Sequence, residues 1–360
     1  MKRFRVFTAS NPAWLPSVAV ILTVLAGPAA LARDPAAVCL EEHKPDVAVK
    51  ACNTALAEEN LPKETRARLL AARAANLAKK EKFREAIADL NAAVKLMPED
   101  IKIRLARGDL YLLLGFANKA FDDYSKVIEK DPYNARAHLG RAIIWQFRNK
   151  PAFALKDLDA ALKQNPKDAE LHAQKGNILM RLKRWREAIS AFNDAIFLNP
   201  NDVDSRENRA VAWMRLKDYA NAASSLDVAI RLAPGRSTLY EKRARARWQM
   251  GQREKALADL NRVVALRPRD ARVLIDRGIV LFRLGKVKEA LADFARAEKL
   301  GADSPQLHYF RGQALEKLGR RAAARQAYRR ALSAPAASMA DARARMEADK
   351  RLKALQAAKD

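Results

Sequence analysis

The chain has 360 residues, of which 49% are hydrophobic and 31% charged, and a formal net charge of +26. Length alone would suggest two or three domains. Beyond the first 32 residues no stretch is long and apolar enough to cross a membrane, which excludes a multi-span membrane protein.

In chain order, residues 1–32 read as an export signal. Lys2, Arg3 and Arg5 form a basic start, Val18 to Leu25 an apolar middle, and Ala30-Leu31-Ala32 a small-x-small cleavage site. Cleavage near Ala32 predicts a periplasmic or secreted protein beginning at Arg33. An uncleaved anchor is the alternative, because Trp14 to Ala32 is mostly apolar; Gly27 and Pro28, just before the small-x-small site, favour cleavage. The only cysteines, Cys39 and Cys52, follow closely. In an exporting compartment disulfides persist, so the two predict one bridge; two small buried apolar residues are the other reading.

From Pro98 onward the chain is periodic. Pro98, Pro132, Pro166, Pro200, Pro234 and Pro268 recur every 34 residues. A fixed period of this size marks a repeat architecture, in which stacked units bury a continuous core and no single large core is needed. With the proline at position 32, eight repeats start at Ala67, Ile101, Ala135, Ala169, Val203, Ser237, Ala271 and Pro305. The last two carry Ala302 and Ala336 at position 32. Position 20 is alanine in all eight, position 24 is large and apolar, and position 27 is Ala or Val. Spacings of four and three put these on one helical face. Position 8 is always Gly or Ala, small enough for a second helix to approach. Position 15 is glycine at Gly115, Gly251, Gly285 and Gly319, which suits the end of a first helix, and the proline then stops the second. Each repeat is predicted to be a helix, a short turn and an antiparallel helix.

These positions resemble the tetratricopeptide repeat. Gly108, Tyr111, Ala120, Tyr124 and Pro132 fit its pattern, as do Gly176, Ala188, Phe192, Ala195 and Pro200. The resemblance covers Ala67 to about Ser338. It implies an all-α, right-handed superhelical solenoid of exported bacterial type, with a concave groove that holds partner peptides. Residues 33–66 read as a degenerate N-terminal hairpin, because Ala48, Cys52 and Ala55 reproduce the spacing of positions 20, 24 and 27. Residues 67–338 hold the eight repeats. Residues 339–360 read as a capping helix with a polar outer face, as the end of a solenoid requires.

Two ladders imitate sites. Position 7 is basic in every repeat: Arg73, Arg107, Arg141, Lys175, Arg209, Arg243, Arg277 and Arg311. It could grip a polyanion. Position 23, however, is acidic in five repeats (Asp89, Asp123, Asp157, Asp259 and Asp293), which predicts ion pairs between the two helices of one repeat. Repeats four, five and eight carry Ala191, Ser225 and Ala327 there. His138, His172 and His308 share position 4. Equivalent residues of adjacent repeats lie about 8–10 Å or more apart, too far to share a metal, so packing histidines are expected. No catalytic constellation, cofactor motif or metal set is found, so a non-enzyme is expected.

The resemblance places positions 2, 5, 6, 9, 12 and 13 of the first helix along the groove. Position 12 supplies Met180, Met214, Trp248 and Phe282 in four successive repeats, either as a strip for a peptide or as packing between first helices. Some relatives clamp a C-terminal carboxylate; Asn177, Asn208 and Lys242 match three of the clamp positions, Ala173 and Thr238 replace two lysines, and Arg245 adds a cation.

The leading expectation is an exported scaffold that binds a protein or peptide in its groove. Residues 231–360 carry 31 Lys+Arg against 14 Asp+Glu, so an electrostatic adaptor for an anionic polymer or membrane surface is the alternative. Nucleic acid is disfavoured, because few aromatics interleave with the arginines and export removes most of it from reach. A third reading is a regulatory subunit of a cell-envelope enzyme complex. The sequence leaves the oligomeric state open.

Overall fold

Side-chain caps and left-handed turns mark the ends of most first helices. The structure, a computed structural model, describes residues 34–357, so the expected signal at 1–32 lies outside the described residues. These residues form helices and no strand. In order they are α1 (Pro35–Glu41), α2 (Pro45–Leu56), α3 (Lys63–Lys79), α4 (Phe83–Leu96), α5 (Ile101–Leu113), α6 (Ala117–Lys130), α7 (Ala135–Phe147), α8 (Pro151–Gln164) and α9 (Ala169–Arg181). There follow α10 (Trp185–Leu198), α11 (Val203–Arg215), α12 (Tyr219–Leu232), α13 (Ser237–Gln249), α14 (Arg253–Leu266), α15 (Ala271–Arg283), α16 (Val287–Lys299), α17 (Pro305–Lys317), α18 (Arg321–Ser333) and α19 (Met339–Ala357).

The period sets both ends of each first helix. Position 34 supplies the N-cap. Asp100, Asn134, Asp168, Asp202, Asp270 and Ser304 each accept a backbone N–H of the helix that follows, satisfying a donor the helix itself leaves open. Position 15 ends the helix with a left-handed residue in all eight repeats. The four glycines adopt it at φ of 74–79°, and Glu81, Asn149, Lys183 and Lys217 adopt it with side chains. For Glu81, Lys183 and Lys217 that conformation costs about 1–2 kcal/mol, which the surrounding packing offsets.

Position 4 carries a role the sequence reading missed. Its side chain reaches back to the carbonyl of the preceding repeat's proline: Arg104 to Pro98, His138 to Pro132, His172 to Pro166, Arg206 to Pro200 and Tyr240 to Pro234. Those carbonyls lie just past the end of each second helix, where the backbone has no intrahelical partner. His138 and His172 are therefore polar fasteners as well as slot fillers, whereas His308 bonds the side chain of Asp303.

Packing follows from a size match. Where position 24 is aromatic, position 8 is glycine, and where position 24 is leucine, position 8 is alanine. A Cβ at Gly278 would stand 2.5 Å from Phe294, and one at Gly312 2.5 Å from Tyr328. The glycine thus makes room for a ring that is fully buried. Each such side chain contributes about 1.5–3 kcal/mol on burial.

The described chain divides into two compact units, the first ending at Lys183 and the second beginning at Arg184. In the first, α1 packs on α2, α2 on α3, and this nearest-neighbour pattern continues to α9. A Cys39–Cys52 disulfide joins α1 to α2, buried against Ala55 and Leu69. In the second, the same pattern runs from α10 to α18, and α19 packs on both α17 and α18. The core of α19 is Ala344, Ala348, Leu352 and Leu355, while Lys350 and Lys353 face solvent.

Candidate functional site

The arginine ladder is structural where the carboxylate is present. Arg73, Arg107, Arg141, Arg243 and Arg277 each donate two hydrogen bonds to the position-23 aspartate of the same repeat. The guanidinium fork matches the carboxylate, and the pairs are half-buried. A second contact was not foreseen. The same arginines also reach position 25 of the preceding repeat, as with Arg107 to Asn91, Arg243 to Asp227 and Arg277 to Asn261. One side chain therefore ties two helices of its own repeat to the repeat before it. The signal was present as polar residues at position 25, from Asn91 to Asn261.

At Asp157 burial pushes the carboxyl up, but hydrogen bonds from His138 and Arg141 outweigh it and hold the group below its ordinary value. Asp109 shows the opposite balance. Burial raises it, against Arg136 and the hydroxyl of Tyr124, which donates to it over 2.7 Å.

The expected groove residues fall in both compact units. Asn177 and Met180 lie on α9 in the first, both half-buried. Asn208 and Met214 on α11, Lys242, Arg245 and Trp248 on α13, and Phe282 on α15 belong to the second. Lys242 is not an open cation. It pairs with the buried Glu207, which also pairs with Arg236 at 2.6 Å. Glu207 stands at position 5 of its repeat. Glu241 is shared by Arg267 and Arg272, and Arg272 also approaches Asp276 at 3.6 Å. Burial pushes the Asp276 carboxyl up, against Arg272 and Arg245.

Met214, Trp248 and Phe282 are each half-buried and pack against buried core residues of the second unit. Two residues that the position-12 argument missed extend them. Phe310 on α17 lies 6.1 Å from the Phe282 ring, edge to face, and Tyr309 lies 5.2 Å from Phe310. The Arg283 guanidinium sits 5.7 Å from the Trp248 ring and 5.8 Å from that of Phe310, so one cation joins the two rings. Lys317 stands over Phe282, and Arg253 over Trp248. Such contacts hold a cation on an aromatic face by electrostatic attraction. Positions 5, 6 and 13 of later repeats would have revealed Tyr309, Phe310, Arg283 and Lys317. The result is an aromatic strip edged by cations, able to take apolar side chains and to attract carboxylates beside them.

The tetratricopeptide repeat profile matches residues 76–135, 173–237, 241–305 and 276–342, more than half of the chain. No curated protein sequence matches it. Among solved structures, the chain is similar to a tetratricopeptide repeat protein from Parabacteroides merdae ATCC 43184, with a TM-score of 0.50 and 20% identity over 69% of this chain and 99% of that one. It is similar to Pseudomonas aeruginosa PilF, with a TM-score of 0.49 and 20% identity over 59% of this chain and 97% of that one. It is also similar to YrrB, described as having an unusual peptide-binding site, with a TM-score of 0.46 and 22% identity over 52% of this chain and 94% of that one. At these identities the likeness is one of fold.

Proposed function

Because the chain belongs to the tetratricopeptide repeat family, whose fold serves as a scaffold for protein–protein interaction, we propose that its second compact unit captures an apolar segment of a partner protein flanked by acidic residues. The observation that carries this reading is the placement of Arg283 over both Trp248 and Phe310, with Phe282 against Phe310. Tryptophan and arginine are the residue types most enriched where binding energy concentrates. Apolar side chains of the partner would lie on the rings, and its carboxylates would meet Arg283, Lys317 and the exposed Arg245. Met214 extends the strip towards α11. The role is non-enzymatic.

The test is capture of partners by the full chain and by a Trp248→Ala, Phe282→Ala variant. A partner bound at high salt by the first and lost by the second supports the strip. A partner held equally by both removes it.

We further infer export, with residues 1–32 as the signal, the hairpin of α1 and α2 as an N-terminal cap and α19 as the C-terminal cap. The Cys39–Cys52 bond supports a non-cytoplasmic address, since such bonds persist in oxidising compartments. No described helix is long and apolar enough to cross a membrane. Alkylation without reductant, on protein recovered from its native compartment, should label neither cysteine. Labelling of both would overturn the inference.

A further inference from the structure

The fastening of one repeat to the next changes character at the C-terminal end. In repeats one to six position 25 holds an amide, a hydroxyl or a carboxylate, and position 23 holds a carboxylate or hydroxyl in all but repeat four, which has Ala191. In repeat seven position 23 keeps Asp293 but position 25 is Ala295, and in repeat eight the two slots hold Ala327 and Arg329. Arg311 therefore lacks a carboxylate on its own second helix and turns to Glu298, 3.1 Å away on α16. Arg330 stands 3.9 Å from the same carboxylate, and His308 Nδ1 lies 3.3 Å from it. One acid thus serves three side chains.

α18 itself carries no acid at all, whereas each other second helix, from α2 to α16, carries at least one. Its basic residues are all arginines. Arg320 at the N-cap, with Arg321, Arg325 and Arg329 at four-residue intervals, makes no ion pair or side-chain hydrogen bond among the described residues. Four residues advance a helix by about 6 Å, so the Cα atoms of Arg321, Arg325 and Arg329 follow one ridge over about 12 Å of the helix axis, with Arg321 and Arg329 exposed and Arg325 half-buried. Tyr328, Ala324, Ala327 and Ala331 point into the core. The exposed positions of the helix are Arg321, Ala322, Gln326, Arg329, Arg330 and Ser333.

We propose that the solvent face of α18 is a docking surface for a linear phosphate polymer. Three features favour this occupant. Guanidinium forks bind phosphate oxygens in pairs, and no lysine is mixed among them. A phosphate polymer carries its charges in the chain itself, and so can follow the arginine ridge without ordering many long side chains, as an acidic peptide would have to. A bilayer is less suited, because the face offers no Trp, Phe or Leu to enter the acyl boundary. It also offers no aromatic ring on which nucleic-acid bases could stack. The surface uses none of the residues of the Trp248–Phe310 strip, so it stands or falls independently of that reading.

Fluorescence anisotropy of labelled inorganic polyphosphate with the full chain tests the proposal. The triple variant Arg321→Ser, Arg325→Ser, Arg329→Ser should bind at least tenfold more weakly, and its log-affinity against log-salt slope should be shallower by about 2, from a loss of roughly 0.7–0.9 per phosphate contact. A control with equal charge loss, Lys50→Ser, Lys63→Ser, Lys95→Ser, should bind within twofold of the parent. Lysine at the three arginine positions should keep the slope and still weaken binding severalfold, which reads the fork and not the charge. Trp248→Ala should leave polyphosphate binding unchanged. Equal losses in the two serine triples would show diffuse charge and overturn the proposal. So would preference, through the same arginines, for phosphatidylglycerol vesicles or polyglutamate over polyphosphate.

Discussion

Repeats three (135–168) and five (203–236) share a register and differ in how they are fastened. In repeat three, Arg141 and His138 both bond Asp157, and Arg141 also reaches Ser125 of the repeat before. In repeat five the acid is absent. Among the described residues Arg209 meets only the Ser225 hydroxyl at 3.2 Å and Asn193 at 2.7 Å. Burial and the neighbouring Arg206 lower the pKa of Arg209, the mark of a guanidinium without a counter-charge. The turn differs in degree, since both repeats place a non-glycine residue in the left-handed conformation, Asn149 in repeat three and Lys217 in repeat five, and asparagine visits it more readily than lysine. The same arginine is a clamp in one place and a tolerated charge in the other. A conserved-looking ladder within one chain therefore has rungs of unequal strength, decided by the partner slot.

The largest effect should come from breaking the stronger rung. Asp157→Ala leaves Arg141 and His138 facing a half-buried gap and should cost about 3–5 kcal/mol, as removal of one partner from a buried pair does. Urea unfolding followed by circular dichroism measures it, and a loss under 1 kcal/mol would contradict the clamp. Repairing the weaker repeat should have the opposite sign. Lys217→Gly should stabilise by about 1 kcal/mol by relieving the left-handed strain, whereas the same exchange at an ordinary helical position would destabilise. A melting temperature that falls in this variant would rule that account out. Ser225→Asp should give Arg209 its missing carboxylate and add about 1 kcal/mol, read as a gain that vanishes in the Arg209→Ala background. Should the gain persist there, the added acid is acting elsewhere.

The smallest effect is in acid. The folded-state carboxyl of Asp157 titrates below its ordinary value, so its contribution is fully present above the unfolded value, about 4, and is lost as pH falls through the folded one. Asp157→Asn should therefore flatten the acid limb of stability below about pH 4, while Asp204→Asn, at an exposed ion pair in repeat five, should leave the slope nearly unchanged. Parallel acid limbs in the parent and Asp157→Asn would refute the linkage.

The sequence by itself determined the helices and their order. Prolines at 32, caps at 34, left-handed residues at 15 and alanines at 20 are local or nearest-neighbour requirements, and each leaves a residue type at a fixed interval. Size matching was legible for the same reason, since a ring at 24 needs a glycine at 8. The Arg–Asp pairs were also readable, because both partners recur. What only the tertiary structure decided involves contacts that leave no common residue type. Position 4 holds the proline carbonyl with arginine, histidine or tyrosine, three side chains that share a donor and little else. The strip of Trp248, Phe282 and Phe310 takes its rings from positions 12, 12 and 6, joined by the reach of Arg283 across neighbouring helices. Lys242 looked available by position and is occupied by Glu207. Periodicity records what every repeat must do alike; where a single side chain reaches into the next repeat, its length and its neighbour's charge decide the outcome, and only the folded geometry brings them together.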